Sequence, residues 1–335
     1  RYIDVASPLS FAVSNVSMIT LGVSYHRLAR LRWRIGEAME LGPYTLEKKI
    51  GEGGMGSVYL ARHSLLKRPT AIKILKPTIL SDDAIERFQR EVQIASTLSH
   101  PNTIEIYDYG RAESSVFYYA MEYIDGLTLK QLIEAEGALP ASRVVHLLLQ
   151  ICGSLHEAHE IGLVHRDISP RNIMICCRGG LADVIKVLDF GLAKPVSVPE
   201  AEQITVSGVL TGTPIYIAPE RFRDPKTSDP RADIYALGCI AYELLTGQQI
   251  YHGKSQIDII DQVMNVTPAS PSELLPEPPP SELESLIMQC LEKNPDARPA
   301  SVLEVLDRLQ ALQLRDAWDA KQAKGWWQDH ALHAN

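Results

Sequence analysis

Residues 165–172 read HRDISPRN, and this stretch supplies the polar side chains from which the fold can be worked out. Asp167 can accept or orient a hydroxyl proton. Asn172 offers the hard oxygen ligand that Mg²⁺ prefers, and so does Asp189, at the end of the predicted strand in ADVIKVLDFG. The pattern therefore predicts a proton acceptor at Asp167 and a metal site made by Asn172 and Asp189.

A glycine cluster, GEGGMGSV at residues 51–58, lies between two predicted strands. It fits GxGxxGxV, and glycines let a hairpin come close to phosphate oxygens with backbone N–H groups free to donate. The same spacing marks dinucleotide-binding turns, and a merely flexible turn is a further alternative. A strand, SVYLAR, follows the cluster in place of a helix, and no ribose-binding acid follows at the expected distance. A phosphate-binding hairpin is the better interpretation.

Lys73 ends the AIK stretch of a predicted strand rich in apolar residues, where an unpaired ammonium group facing inward would be costly. Glu91, on a helix predicted from about Asp82 to Leu98, is the nearest suitable carboxylate. Such a pair would hold Lys73 toward the α- and β-phosphates of a nucleotide. Taken one at a time, a surface lysine and a surface glutamate are the alternative.

Further helices follow from apolar periodicity and end signals. A buried stripe predicts a helix over residues 141–159, and ADIYALGCIAYELLTG predicts a buried helix that ends at Gly247. Capping boxes are predicted at Ser281 with Glu284 and at Ser301 with Glu304. The stretch SPSELLPEPPP predicts a stiff loop in the polyproline II conformation.

Composition excludes several classes of function. The net charge is -8 and the pI is about 5.7, which argues against a broad basic surface for nucleic acid or anionic lipid. The five cysteines form no CxxC pair and are odd in number, so neither a zinc site nor a complete disulfide framework is expected. The apolar run at residues 11–23 is too short and too polar to span a bilayer. We expect a reducing, cytoplasmic setting.

Taken in order, the motifs GxGxxGxV, AIK, Glu, HRDxxxxN, DFG and APE resemble those of the protein kinase superfamily, and most closely the eukaryotic-like serine/threonine kinases of bacteria. The resemblance runs from about Tyr44 to Leu312. It implies an α+β, two-lobed fold: a small β-rich N-lobe with one main helix, and a larger, mainly helical C-lobe. The expected domains are an N-terminal extension (1–42), the N-lobe (43–125), the C-lobe (126–312) and a Trp-rich tail (313–335).

The resemblance also implies roles for individual residues, with MgATP as the phosphoryl donor, Mn²⁺ as an alternative metal, and protein Ser/Thr hydroxyls as acceptors. The implied catalytic residues are Asp167, Lys73, Glu91, Asn172, Asp189 and Arg171, with Asn172 and Asp189 as metal ligands. The implied ATP-binding residues are Ile50, Gly51, Glu52, Gly53, Gly54, Met55, Gly56, Val58, Ala71, Lys73, Met121, Glu122, Ile124 and Met174. The implied hydrophobic column contains Ala95, Ile106, His165 and Phe190.

The stretch TGTPIYIAPE, residues 211–220, resembles the end of an activation segment with Thr213 in the substrate-binding loop. The resemblance implies an ion pair between Glu220 and Arg298 and a buried Asp233 that supports the catalytic loop. Arg166 implies control by a phosphate on this segment, and self-phosphorylation is expected there. The candidate hydroxyls are Ser197, Thr205, Ser207 and Thr211.

Two departures from the family pattern bear on activity. Ser169 stands where serine/threonine kinases usually carry a lysine, and Ala95 is smaller than the family's usual residue in the hydrophobic column. Arg171 matches the position where tyrosine kinases keep a compensating arginine. The alternative function is therefore a pseudokinase or nucleotide-binding scaffold. An antibiotic-type kinase is disfavoured because that class carries HGD and lacks the GTPxYxAPE segment.

The C-terminal tail carries Trp318, Trp326 and Trp327 at spacings compatible with one or two short helices. We expect these side chains to pack on the large lobe, with partner docking as the alternative.

Overall fold

The structure, a computed structural model, describes residues 39–53, 56–75, 82–111, 117–190, 214–224 and 227–330, without the side chains of Met39 and of residues 82–88. This part of the chain divides into two compact units. The first contains the described residues up to Ala84 together with Ile106–Tyr123, and the second contains Ile85–Glu105 and the described residues from Ile124 onward. The first unit is built on a β-sheet and the second is mainly helical, as predicted.

The first unit is a six-stranded antiparallel sheet in the order β1-β2-β3-β4-β6-β5. Strand β4, in the middle of the sheet, carries the β-branched side chains of Thr70, Ile72 and Ile74, which suit a buried, pleated surface. The strands are β1 Met39–Leu41, β2 Tyr44–Glu52, β3 Gly56–His63, β4 Pro69–Leu75, β5 Ile106–Arg111 and β6 Phe117–Glu122.

The sheet has a compact apolar core and a close approach between β3 and β4 that requires glycine at position 56. Its buried members are Leu41, Tyr44, Leu46, Ala61, Ile72, Ile74, Tyr118 and Ala120. At the start of β3, a Cβ added to Gly56 would lie 2.0 Å from the Ile74 carbonyl oxygen. Only glycine allows β3 and β4 to approach this closely.

The second unit holds most of the helices and a small antiparallel sheet in the order β7-β8-β9. Its strands are β7 Gly126–Thr128, β8 Ile173–Arg178 and β9 Leu181–Val187. The helices of the whole described chain are α1 Asp82–Ala95, α2 Leu129–Glu136, α3 Ala141–Glu160, α4 Pro219–Arg223, α5 Arg231–Thr246, α6 Gln256–Asn265, α7 Pro271–Leu274, α8 Ser281–Cys290, α9 Val302–Ala311 and α10 Ala320–His330. No helix in the described ranges is long and apolar enough to cross a membrane.

The predicted helices are present, with small changes at their ends. α1 ends at Ala95, one turn before the predicted Leu98. The apolar stripe of α3 is buried as predicted, and α9 packs against this helix. α5 is buried along nearly its whole length and ends at Gly247, whose φ of 70° lies in the left-handed region. A side chain on Gly247 would meet the Ala138 nitrogen at 2.6 Å, so the position requires glycine for conformation and for space.

Two local predictions were wrong. Ser281 is the first residue of α8 rather than its cap, because Pro280 occupies the cap position, and Glu284 instead accepts a hydrogen bond from the Ser272 backbone. The predicted polyproline loop contains the helix α7, because Ser270 and Glu273 form a capping box with proline in the first turn. For α9, half of the predicted box forms: Ser301 accepts from the Glu304 backbone N–H.

Candidate active site

The loop that contains Asp167 is fixed by the buried carboxylate of Asp233, in the first turn of α5. Asp233 accepts hydrogen bonds from the backbone N–H groups of His165, at 2.8 Å, and Arg166, at 2.9 Å. The His159 ring on α3 adds a third bond at 2.9 Å. Burial alone would raise the pKa of Asp233, but these hydrogen bonds and the nearby histidines lower it below its usual value. The predicted supporting role of Asp233 is therefore consistent with its contacts.

The buried His165 ring joins the Asp167 loop to the end of β9. Its Nδ1 accepts from the Asp167 backbone N–H at 3.3 Å, and its Nε2 donates to the Leu188 carbonyl at 2.7 Å. The ring also packs on Phe190, with centroids 4.7 Å apart. Two members of the predicted hydrophobic column are thus in contact. Ala95 is buried in the same unit and Ile106 lies in the first, so the complete column stays a prediction.

Two residues of this region have left-handed backbone conformations that side chains rarely adopt. The φ angle is 66° at Arg166 and 54° at Asp189. Such conformations cost roughly 1–3 kcal/mol each and persist where the surroundings enforce them. Here the hydrogen bonds of Asp233 and His165 hold the neighbouring backbone, so the directions of both side chains are set in advance.

Asn172 is oriented by Asp167. Its Nδ2 donates to the Asp167 carbonyl oxygen at 2.8 Å and to Asp167 Oδ2 at 2.9 Å. Since the amide nitrogen faces Asp167, the amide oxygen faces the other way, as a metal ligand requires. Among the described residues no group of three or more His, Cys, Asp or Glu side chains could hold a metal. An amide oxygen and the Asp189 carboxylate, completed by phosphate and water oxygens, form a donor set that suits Mg²⁺.

Several predicted ATP-binding residues lie side by side in the first unit. Lys73 on β4 is buried, pairs with Val58 on β3 and Tyr119 on β6, and places its Nζ 5.7 Å from the Tyr119 ring centroid. Ala71 pairs with Met121 on the next strand. Backbone pairing therefore puts the predicted adenine-side and phosphate-side residues on adjacent strands of one sheet.

The remaining predicted residues are distributed as follows. Ile50, Gly51 and Glu52 end β2, Gly53 follows them, Gly56 begins β3, and Glu122 is buried at the end of β6. Ile124 and Met174 belong to the second unit, as does Glu91, whereas Lys73 belongs to the first. The Lys73–Glu91 pair and the complete ATP site stay predictions. Outside the described residues lie Gly54, Met55, Ser197, Thr205, Ser207, Thr211 and Thr213.

Arg166 has contacts that the sequence did not predict. Its Nη1 lies 3.9 Å from Oε1 of Glu91, a long ion pair, and its Nη2 donates to the Ser228 hydroxyl at 2.8 Å. Its carbonyl oxygen accepts a hydrogen bond from the Arg221 guanidinium. Within the described part of the chain, the buried Nε of Arg166 has no hydrogen-bond acceptor. This guanidinium group can therefore bind a further anion.

The predicted ion pair between Glu220 and Arg298 is present and bidentate. The Nη1 and Nη2 atoms of Arg298 donate to the two Glu220 oxygens at 2.8 and 2.7 Å, and the arginine side chain is fully buried. Nearby, the Tyr216 hydroxyl donates to Glu243 of α5, and burial raises the pKa of that carboxyl. The end of the predicted activation segment is thereby attached to α5 and to the turn before α9.

The sequence did not predict His159, or the buried pair of Arg143 and Asp183. Arg143 lies in the first turn of α3, where its neighbours are buried, and a charged side chain at such a position is the signal that could have found it. Asp183 lies on β9 and accepts two hydrogen bonds from Arg143, at 2.9 and 3.0 Å.

Comparisons with known proteins agree with this arrangement. The family model described as the protein kinase domain matches residues 44–309. The serine/threonine-protein kinase Pkn3 of Myxococcus xanthus is 40% identical over 272 residues, which cover 80% of this chain and 50% of that protein. The serine/threonine-protein kinase PknB of Mycobacterium leprae is 35% identical, over 78% of this chain and 42% of its own. This chain thus spans about half the length of the curated relatives it matches.

Among solved structures, the kinase domain of PknI from Mycobacterium tuberculosis superimposes with a TM-score of 0.62 at 28% sequence identity. The superposition covers 82% of this chain and 97% of that domain. The α+β fold with a β-sheet lobe and a helical lobe is therefore confirmed by an experimental structure of a similar protein.

Proposed function

Since this chain belongs to the protein kinase family, we propose that it is an ATP-dependent serine/threonine protein kinase. The observation that carries the proposal is the arrangement of Asp167 and Asn172 on a loop fixed by Asp233. A carboxylate that can take a proton lies next to an amide oxygen that can bind a metal. The names of the relatives support Ser/Thr hydroxyls as acceptors, and so does the GTPIYIAPE segment.

In the proposed reaction, Asp167 orients a protein hydroxyl group and accepts its proton. The hydroxyl oxygen forms a bond to the γ-phosphorus of ATP, the bond between this phosphorus and the β–γ bridging oxygen breaks, and ADP leaves. A divalent metal, which we propose to be Mg²⁺ with Mn²⁺ as an alternative, would supply positive charge that offsets the charge of the phosphate oxygens. Asn172 and Asp189 would hold this metal.

The ATP-binding residues are proposed from the family pattern, supported by strand pairing within the first unit. Gly51, Gly53 and Gly56 would cover the phosphates, and Lys73, with Glu91 as its partner, would bind the α- and β-phosphates. The other proposed nucleotide contacts are Ile50, Glu52, Gly54, Met55, Val58, Ala71, Met121, Glu122, Ile124 and Met174. The proposed lobe boundaries, 43–125 and 126–312, come from the same resemblance.

We propose that Arg171 replaces the lysine that is absent at Ser169. The Arg171 side chain is exposed, and its neighbour Asn172 donates its backbone N–H to the Ser169 carbonyl at 3.0 Å. A guanidinium on this turn can reach phosphate oxygens without displacing the metal ligands.

Activation by self-phosphorylation is proposed at Thr205, Ser207 or Thr211, with Thr213 in the substrate-binding loop. The support is the Arg166 guanidinium, which has a buried donor without an acceptor among the described residues and a long ion pair to Glu91. A phosphate would be a stronger acceptor for Arg166 than the Glu91 carboxylate at 3.9 Å. We propose the reducing, ATP-rich cytoplasm as the compartment.

The test is phosphotransfer from radiolabelled ATP to a generic protein substrate, with phosphosite mapping by mass spectrometry. We expect labelled Ser or Thr with Mg²⁺ or Mn²⁺, and phosphate between residues 197 and 211 of the chain itself. Asp167→Asn, which is nearly isosteric, should lower the rate by about 10²–10⁴-fold. Nucleotide binding without any labelling would instead favour the scaffold function.

A further inference from the structure

The segment 318–330, here called the Trp tail, follows the region matched by the family model and is docked on the second unit. Its docking site centres on Asp183, whose side chain is fully buried. Arg143 Nε and Nη2 donate to the two Asp183 oxygens at 2.9 and 3.0 Å. A buried ion pair of this kind needs further hydrogen bonds, because each carboxylate oxygen has lost its water.

The Trp tail supplies those hydrogen bonds. The indole Nε1 of Trp318 donates to Asp183 Oδ2 at 2.9 Å, and that of Trp327 donates to Oδ1 at 2.8 Å. The Arg143 guanidinium carbon lies 4.7 Å from the Trp318 ring centroid and 4.3 Å from that of Trp326. The tail thus completes both the hydrogen bonds of the carboxylate and the apolar cover of the arginine.

A second anchor holds the tail to α2. His330 stacks on Trp326 with centroids 4.4 Å apart, and its Nε2 lies 3.0 Å from Oε1 of Glu136. The helix α10 also packs along β9. The tail is therefore attached at several points, to α2, α3 and β9.

Asp183 occupies a special position on its strand. Between Cys176 and Arg178 on β8 there is one residue, whereas the paired segment of β9 contains both Ala182 and Asp183, which is a β-bulge. Asp183 adopts a φ of 55° there. Bulges redirect side chains, and this one directs the carboxylate toward Arg143. The Asp183 carbonyl is also fixed, because it accepts from Gln150 Nε2 of α3 at 2.8 Å.

The opposite end of the same hairpin carries both proposed metal ligands. Ile173 pairs with Val187, so that Asn172 precedes β8 and Asp189 follows β9. The Leu188 N–H donates to the Asn172 carbonyl at 2.8 Å and closes this end. At about 3.3 Å per residue, the bulge lies roughly 13 Å along β9 from Val187. Strand pairing is continuous from Ile173 with Val187 to Cys176 with Val184, so we expect a shift at the bulge to reach the other end of the hairpin.

We propose that Asp183 is a positioning residue for the metal ligands Asn172 and Asp189, and that the Trp tail sets its position by donating two indole hydrogen bonds. This inference rests on the proposed function only in naming Asn172 and Asp189 as metal ligands. Loss of the indole donors leaves the Asp183 carboxylate with the two Arg143 hydrogen bonds, so its position is less firmly set and the metal ligands at the far end of the hairpin lose their alignment.

The test uses the full chain with Trp318 and Trp327 both changed to Phe, which keeps the aromatic cover and removes the two donors. Mn²⁺ binding with ADP is measured by electron paramagnetic resonance, and hydrogen exchange is measured at the Leu188 and Asp189 amides. We expect the half-saturating Mn²⁺ concentration to rise roughly 3- to 30-fold. Exchange at both amides should become faster, while ADP affinity without metal changes less than about twofold.

The control is Ile287→Val in the buried face of α8, which lowers stability without touching the hairpin. If its half-saturating Mn²⁺ concentration rises as much as that of the double Phe variant, the tail serves stability alone and the proposal is overturned. Trp318→Phe alone serves if the double variant does not fold. If the wild-type chain does not bind Mn²⁺ with ADP, the proposed function is wrong. If hydrogen exchange at Leu188 and Asp189 is unchanged in the double Phe variant, the proposed connection between the Trp tail and the metal ligands is wrong.

Discussion

At the residue scale, two buried aspartates organise the second unit by collecting N–H donors. Asp233 accepts from two backbone amides of the catalytic loop and from His159. Asp183 accepts from Arg143 and two indoles. In both cases, N–H donors from distant parts of the chain replace the water molecules that would hydrate the carboxylate in solution. The charge of each carboxylate is therefore part of the architecture around the proposed metal ligands.

The charge on Asp233 makes a pH-dependent contribution to stability. Because its pKa is lower in the folded protein than in the unfolded chain, this contribution is present above about pH 4 and is lost as the pH falls through the folded-state pKa. We expect the Asp233→Asn variant to be less stable at pH 7 by about 3 kcal/mol. Urea unfolding from pH 7 to pH 3 should show the difference between the two proteins shrinking in acid. A constant difference over this range would contradict the assignment.

Arg171 is the residue on which full activity depends if Ser169 replaces the usual lysine. Removing a buried donor to transition-state charge costs about 10²–10³ in kcat, and an exposed donor such as Arg171 should cost less, about tenfold. Arg171→Ala should therefore lower kcat about tenfold, and adding Ser169→Lys should recover most of the loss. Steady-state kinetics measures both. Unchanged phosphotransfer in Arg171→Ala would show that our account of the missing lysine is wrong.

At the element scale, the helix ends and the bulge on β9 decide where side chains point. Helix α5 carries Asp233 in its first turn and is followed by Gly247, so one buried helix connects the loop that contains Asp167 to the segment before α3. Helix α10 packs along β9 and places the Trp327 indole against Asp183. Each element can be tested through a glycine.

Gly247 and Gly325 form a matched pair of substitution sites. At Gly247, alanine would be strained by the φ of 70° and would meet Gly137 and Ala138 atoms within 3 Å. At Gly325, inside α10, an added Cβ meets no atom within 4 Å. We expect Gly247→Ala to lower the free energy of unfolding by at least about 1–2 kcal/mol and Gly325→Ala to leave it unchanged or raise it by up to about 1 kcal/mol. Urea denaturation measures both, and equal losses would contradict the helix ends described above.

At the scale of the whole molecule, the ordered fold extends beyond the region that the family model matches. The model covers residues 44–309, whereas the described structure continues through α10 to His330. The Trp tail covers a buried ion pair of the second unit. The stable unit of this protein therefore includes the tail.

A deletion tests whether the folded protein needs the tail. Removing residues 313–335 leaves Arg143 and Asp183 without their indole partners, which should cost about 3 kcal/mol and lower the Tm by at least about 5 °C. Thermal unfolding measures the effect. A tail deletion without loss of Tm would show that the buried pair does not need the tail.

The residues proposed for chemistry and much of the fold could be predicted because the signals are local. Asp167 and Asn172 are five positions apart and must be, since one loop has to present both side chains. Likewise, the apolar stripe of α3 predicts that helix, and the glycine after α5 predicts where that helix ends. The wrong predictions arose where two neighbouring residues could each occupy the same position. At the start of α8, for example, Pro280 and not Ser281 is the N-cap.

By itself, the sequence determined the order of the motifs, because each motif depends on residue types at short spacing. The resemblance of these motifs to those of the protein kinase superfamily implied the two-lobed α+β architecture and the residues proposed for phosphoryl transfer. Only the tertiary structure decided that Arg166 lies beside Glu91, that Asp233 is capped by His159, and that the indoles of the Trp tail meet Asp183. These groups are far apart along the chain. No local pattern encodes such contacts, because they exist only once separate helices and a bulged strand are packed together.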